Sequence, residues 1–506
     1  MKTKEGNRSA IIKDAGIYAG ASYVSTFLDA ANGILLRNFI NPAGMGVWAL
    51  LQVILNYSRY ITLGTGPALV REIPVYRGRG DEKKADEIKN SVFCFSMLTS
   101  VILSIGIILW AVFFRRSLSP EMLWGLMAIA VVLILQRCFN LYVVLLRAYR
   151  HFKMTSLIAV LSSAMTLFLT VSLVWKYGFF GLLAATILGY IATIWIIQKK
   201  NYFKFKIEFN RALLKDLSVF GLSLIAVNFA VTFLGSIDRI VIPKYLGFEA
   251  LGYYSVAMMA QTYLTLTPTV MAVIVDPHMF EKLAESPDPA KIKAYVLEPA
   301  MAMSCIMPCM IMLSWISGPL VVRFLMPKYV PGIPALKILV FSSFFWGVTR
   351  SLMSYLILLK KHLELLPVLL IASLAAFLLS IFFIRGLGGN IEHVAIATVI
   401  AYVLYASGLM IVVARHLPKI RDLGLIITKI FGPFLYVVLV AFFLGDFFTL
   451  QGKSMGQCSV VFAAFCLFAL PLLILVEKET RLLSHAKTIV LGKKNHAKGG
   501  SLGTDG

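Results

Sequence analysis

Apolar residues in this chain come in long, nearly unbroken runs separated by short polar segments. A helix needs about 20 apolar residues to cross a hydrocarbon core of roughly 30 Å. Fourteen runs meet that length approximately: 16–40, 44–70, 90–114, 122–146, 155–175, 178–198, 217–242, 250–275, 295–318, 335–359, 365–384, 391–413, 428–444 and 457–476. Continuous apolarity, in place of alternation, excludes an outer-membrane barrel. The pattern therefore predicts an all-α polytopic membrane protein of about 14 transmembrane helices. No connection exceeds about twenty residues, which leaves no room for a soluble domain, so the chemistry has to lie within the bilayer.

The runs repeat. RNFINPAGMGVWAL (37–50) resembles RIVIPKYLGFEALGYYSVA (239–257), LLRAYRH (145–151) resembles LLKKH (358–362), and AATILGY (184–190) resembles AIATVIAY (395–402). Pairing Arg37 with Arg239, His151 with His362 and Thr186 with Thr398 gives offsets of 202, 211 and 212 residues, and each pairing advances the helix number by six. This predicts a six-helix half at 16–198, a basic connection at 199–216 and a second six-helix half at 217–413. Two further helices with their preceding loop occupy 414–476, and tails lie at 1–15 and 477–506. Halves of equal orientation are related by an axis along the membrane normal.

Polar positions inside the runs fall on single helical faces. At 100° per residue, with Gln52 as zero, Asn56 lies near +40°, Arg59 near about −20° and Gly66 near about −40°. Asp29 and Arg37 share a face of the first helix, Asn228, Thr232, Gly235 and Arg239 a face of the seventh, and Ser343, Arg350 and Ser354 a face of the tenth. Such stripes cannot face lipid with their donors unsatisfied, so they meet other helices or water. Small hydroxyls there serve as helix glue. Arg59 and Arg137 sit mid-helix, where snorkelling is hardest, and are expected to face a cavity. Arg37 and Arg239 lie near predicted outer ends, where snorkelling, or for Arg239 pairing with Asp238, is the alternative. Within the helices Arg37, Arg59, Arg137, Arg239 and Arg350 outnumber Asp29 and Asp238, a balance that attracts anions, and guanidinium suits the fork geometry of phosphate. The two acids admit two readings, a coupling-ion site or internal salt bridges.

Composition agrees. The 506 residues are 59% hydrophobic and 14% charged, and the mean hydropathy is +0.82. The net charge of +23 is one-sided. With Lys429 and Lys337 counted at the span ends they occupy, 34 of the 48 Lys and Arg fall on the side of the termini and 9 on the other. By the positive-inside bias both termini are cytoplasmic. The clusters RGRGDEKK (77–84) and KKNYFKFK (199–206) then face anionic membrane lipids, and no nucleic-acid role follows. Six cysteines in or at the ends of apolar segments fit neither a disulfide framework nor a metal site. The absence of HExxH and of phosphate-loop motifs speaks against an enzyme or an ATP-driven pump, and no cofactor is expected.

GxWAL after the first helix (Gly46 to Leu50), the basic loop after the second, and IDRIVIPKYLGFEALGYYSVA followed by Asp276 and Pro277 resemble the Wzx-type polysaccharide flippases. That family belongs to the superfamily of multidrug, oligosaccharidyl-lipid and polysaccharide exporters. The resemblance spans most of 11–480. It implies a flippase of undecaprenyl-pyrophosphate-linked oligosaccharide in the bacterial cytoplasmic membrane, working by alternating access. It also implies a polysaccharide polymerase and chain-length proteins as partners. Substrate-binding residues would be Arg59, Arg239, Arg37, Arg137, Arg350, Asn56, Gln52 and Asn228. The rival readings are a cation-coupled multidrug exporter, which would want a carboxylate-rich cavity, and a membrane-embedded polysaccharide polymerase, which would want large outer loops.

Overall fold

Apolar length decides how many helices form, and Gly, Pro and polar breaks decide where they stop. The computed structural model describes residues 2–149, 151–200, 202–285, 289–416 and 423–443, and among them the secondary structure is all helical. Helix α1 (Lys2–Phe39) begins well inside the expected tail 1–15. It is followed by α2 (Pro42–Ser58), α3 (Thr65–Gly78), α4 (Glu82–Phe113), α5 (Pro120–Ala148), α6 (Phe152–Leu169), α7 (Trp175–Lys199), α8 (Arg211–Leu234) and α9 (Ile237–Tyr245). Then come α10 (Phe248–Glu285), α11 (Pro289–Leu325), α12 (Ile333–Leu339), α13 (Ser342–Leu358), α14 (Leu365–Leu387), α15 (Ile391–His416) and α16 (Leu423–Phe443). The expected fourteenth span and the C-terminal tail lie outside the described residues.

Among the described residues seven helical stretches are long and apolar enough to cross a membrane, or eight with the 45° bent pair ending in α12 and α13. One of the seven, Lys153–Lys199, is 47 residues long, about 70 Å of helix and twice a bilayer. It turns at Gly178, whose φ of 57° and ψ of −129° suit a residue without a Cβ. Gly189 of α7 then packs beside Thr166 and Leu169 of α6, so this stretch is two spans in a hairpin.

Three expected continuous helices are broken. The run 44–70 stops as an α-helix at Ser58, passes through a 3₁₀ turn at Arg59–Thr62, and reverses hand at Leu63 (φ 48°) and Gly64 (φ 78°) before α3 begins. The run 217–242 ends at Leu234 and restarts at Ile237. The run 335–359 is divided between α12 and α13. Faces computed across these breaks do not hold: Gly66 does not share the Arg59 face by helical arithmetic, nor Arg239 that of Asn228.

The residues group into two compact units. The first comprises the chain to Ser255 with Phe324–Pro331 and Ser380–Ile391. The second comprises Val256–Arg323, Gly332–Leu379 and the described residues from Glu392 onward. In the first unit Leu51, Leu55, Leu126, Ile129, Phe179 and Leu183 join α2, α5 and α7. A second apolar cluster around Leu69, Ile88, Val92, Leu141 and Leu214 joins α3, α4, α5 and α8. The connection 202–210 is extended and alternates, with Phe205 stacked on Phe93 at 4.0 Å and the neighbouring Lys204 and Lys206 exposed. In the second unit Phe344 stacks on Phe434 at 4.3 Å, which packs α16 against α13.

Local features recur along the chain. A Cβ on Gly46 would collide with the Phe248 carbonyl and one on Gly252 with the Pro42 carbonyl, so the first turns of α2 and α10 touch reciprocally at a spacing of 206 residues. In that register Arg37 is opposite Pro243 and is not mirrored by Arg239, which corrects the 202-residue pairing. The ends of α5 and α13 carry the same two backbone bonds, Tyr149 N to Leu145 O with His151 N to Leu146 O, and Leu359 N to Tyr355 O with Lys361 N to Leu356 O, 210 residues apart. Thr186 and Thr398 each donate to the carbonyl four residues back.

Candidate functional site

The break after α2 gathers the polar groups of the first unit. A helix that stops leaves its last carbonyls without intrahelical donors. The carbonyl of Ser58, the last residue of α2, accepts from Arg137 Nη2 of α5 at 2.8 Å, while Arg137 Nε donates to Ser100 Oγ of α4 at 3.3 Å. The next residue, Arg59, is exposed, and its guanidinium carbon lies 5.4 Å from the centre of the Tyr60 ring. Arg59 and Arg137 lie within each other's electrostatic reach. Tyr57, one residue before Ser58, is within electrostatic reach of Arg239 on α9, whose buried Nε has no hydrogen-bond partner among the described residues. Three guanidiniums thus converge on one broken helix. None of the three has an ion pair among the described residues.

Uncompensated cations are costly in a membrane protein, since like charges repel and the surrounding dielectric is low. For Arg59 and Arg137 what reduces the cost is neutral, a helix-terminal carbonyl, whose dipole end is negative, a serine hydroxyl and a tyrosine π-face, while Arg239 lies within electrostatic reach of the buried Asp238. Neutral acceptors stabilise the charges of Arg59 and Arg137 without cancelling them.

Other predicted residues fall elsewhere. Arg37 is 8% exposed and donates to Ser255 Oγ at 3.1 Å, the Ser255 carbonyl at 2.9 Å and the Gly33 carbonyl at 2.9 Å. The structure places it in a helix junction, away from the α2 break. Beside it Tyr329 Oη donates to the Ile40 carbonyl and Lys328 Nζ to the Asn38 carbonyl. Asp238 is buried and accepts the Arg239 backbone N–H at 2.8 Å, a first-turn acid at the start of α9. Asp29 is exposed on α1 beside Ser163, and eight residues, about 12 Å of helix, separate it from Arg37. Neither acid forms a salt bridge among the described residues. Gln52 and Asn56 are half-buried on α2, two turns and one turn ahead of Arg59. Asn228 is exposed, with its amide bonded back to the Leu224 carbonyl. Arg350 belongs to the second unit, where it lines a recess with Pro268, Met271, Pro299, Met303 and Ser351.

Sequence reasoning missed Tyr57, Tyr60 and Phe229, and placed Thr232 only on the polar face of the seventh helix. Tyr60 Oη bonds to the Asn228 carbonyl at 2.8 Å and to Thr232 Oγ1, tying the α2 break to α8. Both tyrosines flank Arg59 in NYSRY, the signal that would have found them.

The model of a family described as polysaccharide biosynthesis protein matches residues 34–334, more than half the chain. The chain belongs to this family. The matched span contains Arg59, Arg137 and Arg239. Among solved structures, the chain is similar to the lipid II flippase MurJ in an inward closed conformation, at TM-score 0.64 and 16% identity over 92% of this chain and 99% of that one. It is also similar to an inward-facing multidrug resistance transporter of the MATE family, at TM-score 0.59 and 18% identity over 79% and 98%. A third match, at TM-score 0.56 and 16% identity over 82% and 96%, is a superfamily transporter from Pyrococcus furiosus described by a "reverse polarity of binding pocket". These TM-scores show a shared fold. No curated protein sequence matches the chain.

Proposed function

We infer that this family member is a flippase that carries polyprenyl-pyrophosphate-linked oligosaccharide from the inner to the outer leaflet of the bacterial cytoplasmic membrane by alternating access. The observation that carries this reading is the cluster of Arg59, Arg137 and Arg239 in the first unit, in which Asp238 beside Arg239 is the one nearby carboxylate and none of the three arginines forms a salt bridge among the described residues. A pyrophosphate is a compact anion with several acceptor oxygens, and it would bridge exposed Arg59 and its neighbours by charge-assisted bonds. The polyprenyl tail stays in lipid throughout, so the protein shelters only the polar head. A cation-coupled exporter of cationic drugs would be repelled by the same cluster.

The test is transbilayer movement of a polyprenyl-pyrophosphate oligosaccharide in proteoliposomes. Wild type is expected to translocate it, Arg59→Ala to lose about 10- to 100-fold of the rate through a lost charged contact, and Arg59→Lys to recover part. Undiminished movement by Arg59→Ala would remove Arg59 from the site.

A further inference from the structure

Beside the cations lies a group of rings that the anion reading leaves without a role. Phe229 meets Tyr57 and Tyr60 edge to face at 5.3 Å and 5.4 Å, and the two tyrosine rings are tilted to each other 6.4 Å apart. Edge-to-face contacts among rings at these distances are ordinary core packing. The exposure is not: Phe229 is 45% exposed, and its neighbours on the open side, Arg59 and Asn228, are exposed as well. A surface bathed in acyl chains does not carry an exposed guanidinium beside an exposed asparagine. The open side of these rings therefore faces a polar space.

Rigidity is the second observation. The Tyr60 hydroxyl is held by the Asn228 carbonyl and by Thr232 Oγ1, so the ring cannot swing, and Phe229 is the residue between those two partners and the open face. The exposed Phe229 ring packs against the held Tyr60 ring, and aromatic rings so placed beside a polar space offer negative π-faces to whatever approaches. Ligands that match it offer an apolar patch of slightly positive C–H bonds inside a hydroxylated rim. A pyranose does this.

We propose that Tyr57, Tyr60 and Phe229 form a stacking subsite for the first sugar of the lipid-linked saccharide, the one joined directly to the pyrophosphate. The inference rests on the anion-site reading above, because Arg59 over the Tyr60 ring is what places a phosphate next to the rings. With the pyrophosphate on Arg59, the sugar one glycosidic bond away comes to lie against the cluster. Ring stacking tolerates many hexoses, so the subsite distinguishes glycosylated from bare lipid more sharply than one sugar from another.

The experiment uses the full chain in nanodiscs, titrated with undecaprenyl pyrophosphate and with the same lipid bearing one N-acetylhexosamine. Wild type is expected to prefer the glycosylated lipid by about 3- to 10-fold, the range of one aromatic contact. Phe229→Leu should abolish that preference while leaving affinity for the bare lipid unchanged, and Phe229→Trp should retain the preference. Equal affinity of wild type for the two lipids overturns the proposal. So does a Phe229→Leu variant that weakens both lipids alike, or a Phe229→Trp variant that loses the preference as Leu does. The bare lipid scores the underlying reading separately: if Arg59→Ala binds it as wild type does, the anion site fails, whatever the sugar preference.

Discussion

Two places in the first unit were expected to be alike and are not. At the junction of α1, α2 and α10, Arg37 directs its donors at three protein oxygens, Tyr329 and Lys328 close the adjoining carbonyls, and Gly46 and Gly252 let two helices touch backbone to backbone. At the break after α2, Arg59 rests on a ring, Arg137 holds a single carbonyl and a hydroxyl, and Arg239 keeps a buried donor unpaired among the described residues. Both places carry arginine in apolar sequence. The difference is whether the protein itself uses up the hydrogen-bonding capacity of the cation. A guanidinium fully engaged by its own chain is part of the scaffold, and one only partly engaged is available to a ligand.

This contrast is broken most severely at Gly46. Gly46→Ala places a Cβ against the Phe248 carbonyl, where only backbone movement relieves the clash. We expect a loss of about 4 kcal/mol or more, read as failure to elute as a monodisperse species in detergent. Gly252→Ala, which meets the Pro42 carbonyl, should behave alike. If either variant elutes and unfolds as wild type does, the helices are not in backbone contact.

Arg37→Met comes next. It keeps the apolar stem and removes the donors to Ser255 and Gly33, with an expected cost of about 3 kcal/mol in thermal unfolding. Affinity for the bare pyrophosphate lipid, measured on the folded fraction, should not change. A loss of affinity with unchanged stability would move Arg37 into the binding site and erase the contrast.

Much of this architecture was legible from length and period. Apolar runs located the seven or eight membrane-crossing stretches found among the described residues, and the hairpin at Gly178 falls where 155–175 and 178–198 had been separated. The breaks were harder to see, because an apolar run continues across them. The signs were local: Gly64, Gly66 and Pro67 crowd the α2 break, and Gly235 with Ser236 forms the kind of pair at which helices kink. Since Arg59 and Arg239 both sit beside such breaks, the face arithmetic failed at the residues that mattered most. The pairing of Arg37 with Arg239 failed for another reason. Apolar repeats align with little penalty at several registers, and only the reciprocal glycine contacts fix the spacing at 206. The expectation of an anion site needed no geometry, since it follows from counting charges.

A smaller effect is expected from Tyr60→Phe, which retains the ring and deletes the hydroxyl that joins the α2 break to Asn228 and Thr232. About 1 kcal/mol of stability should be lost. Binding of the glycosylated lipid should weaken modestly, because the ring that stacks is no longer held still. An unchanged unfolding temperature would mean that the tie does not hold the break in place.

The smallest change in stability is expected at Arg59, and it sharpens the comparison most. Arg59→Ala removes an exposed side chain whose one described contact is the Tyr60 ring, so unfolding should shift by no more than about 0.5 kcal/mol. Relief of repulsion with Arg137 should offset part of even that, and raising the salt concentration should widen the difference between variant and wild type by screening the repulsion that only the wild type carries. The two arginines then separate on two axes: Arg37→Met costs stability and spares binding, and Arg59→Ala spares stability and costs binding. Thermal unfolding of both variants with and without the bare pyrophosphate lipid reads both axes in one series. The lipid should raise the unfolding temperature of Arg37→Met by as much as that of wild type and should leave Arg59→Ala nearly unmoved. Equal shifts in all three proteins would mean that the partly engaged cation at the break is no more a ligand site than the engaged one at the junction.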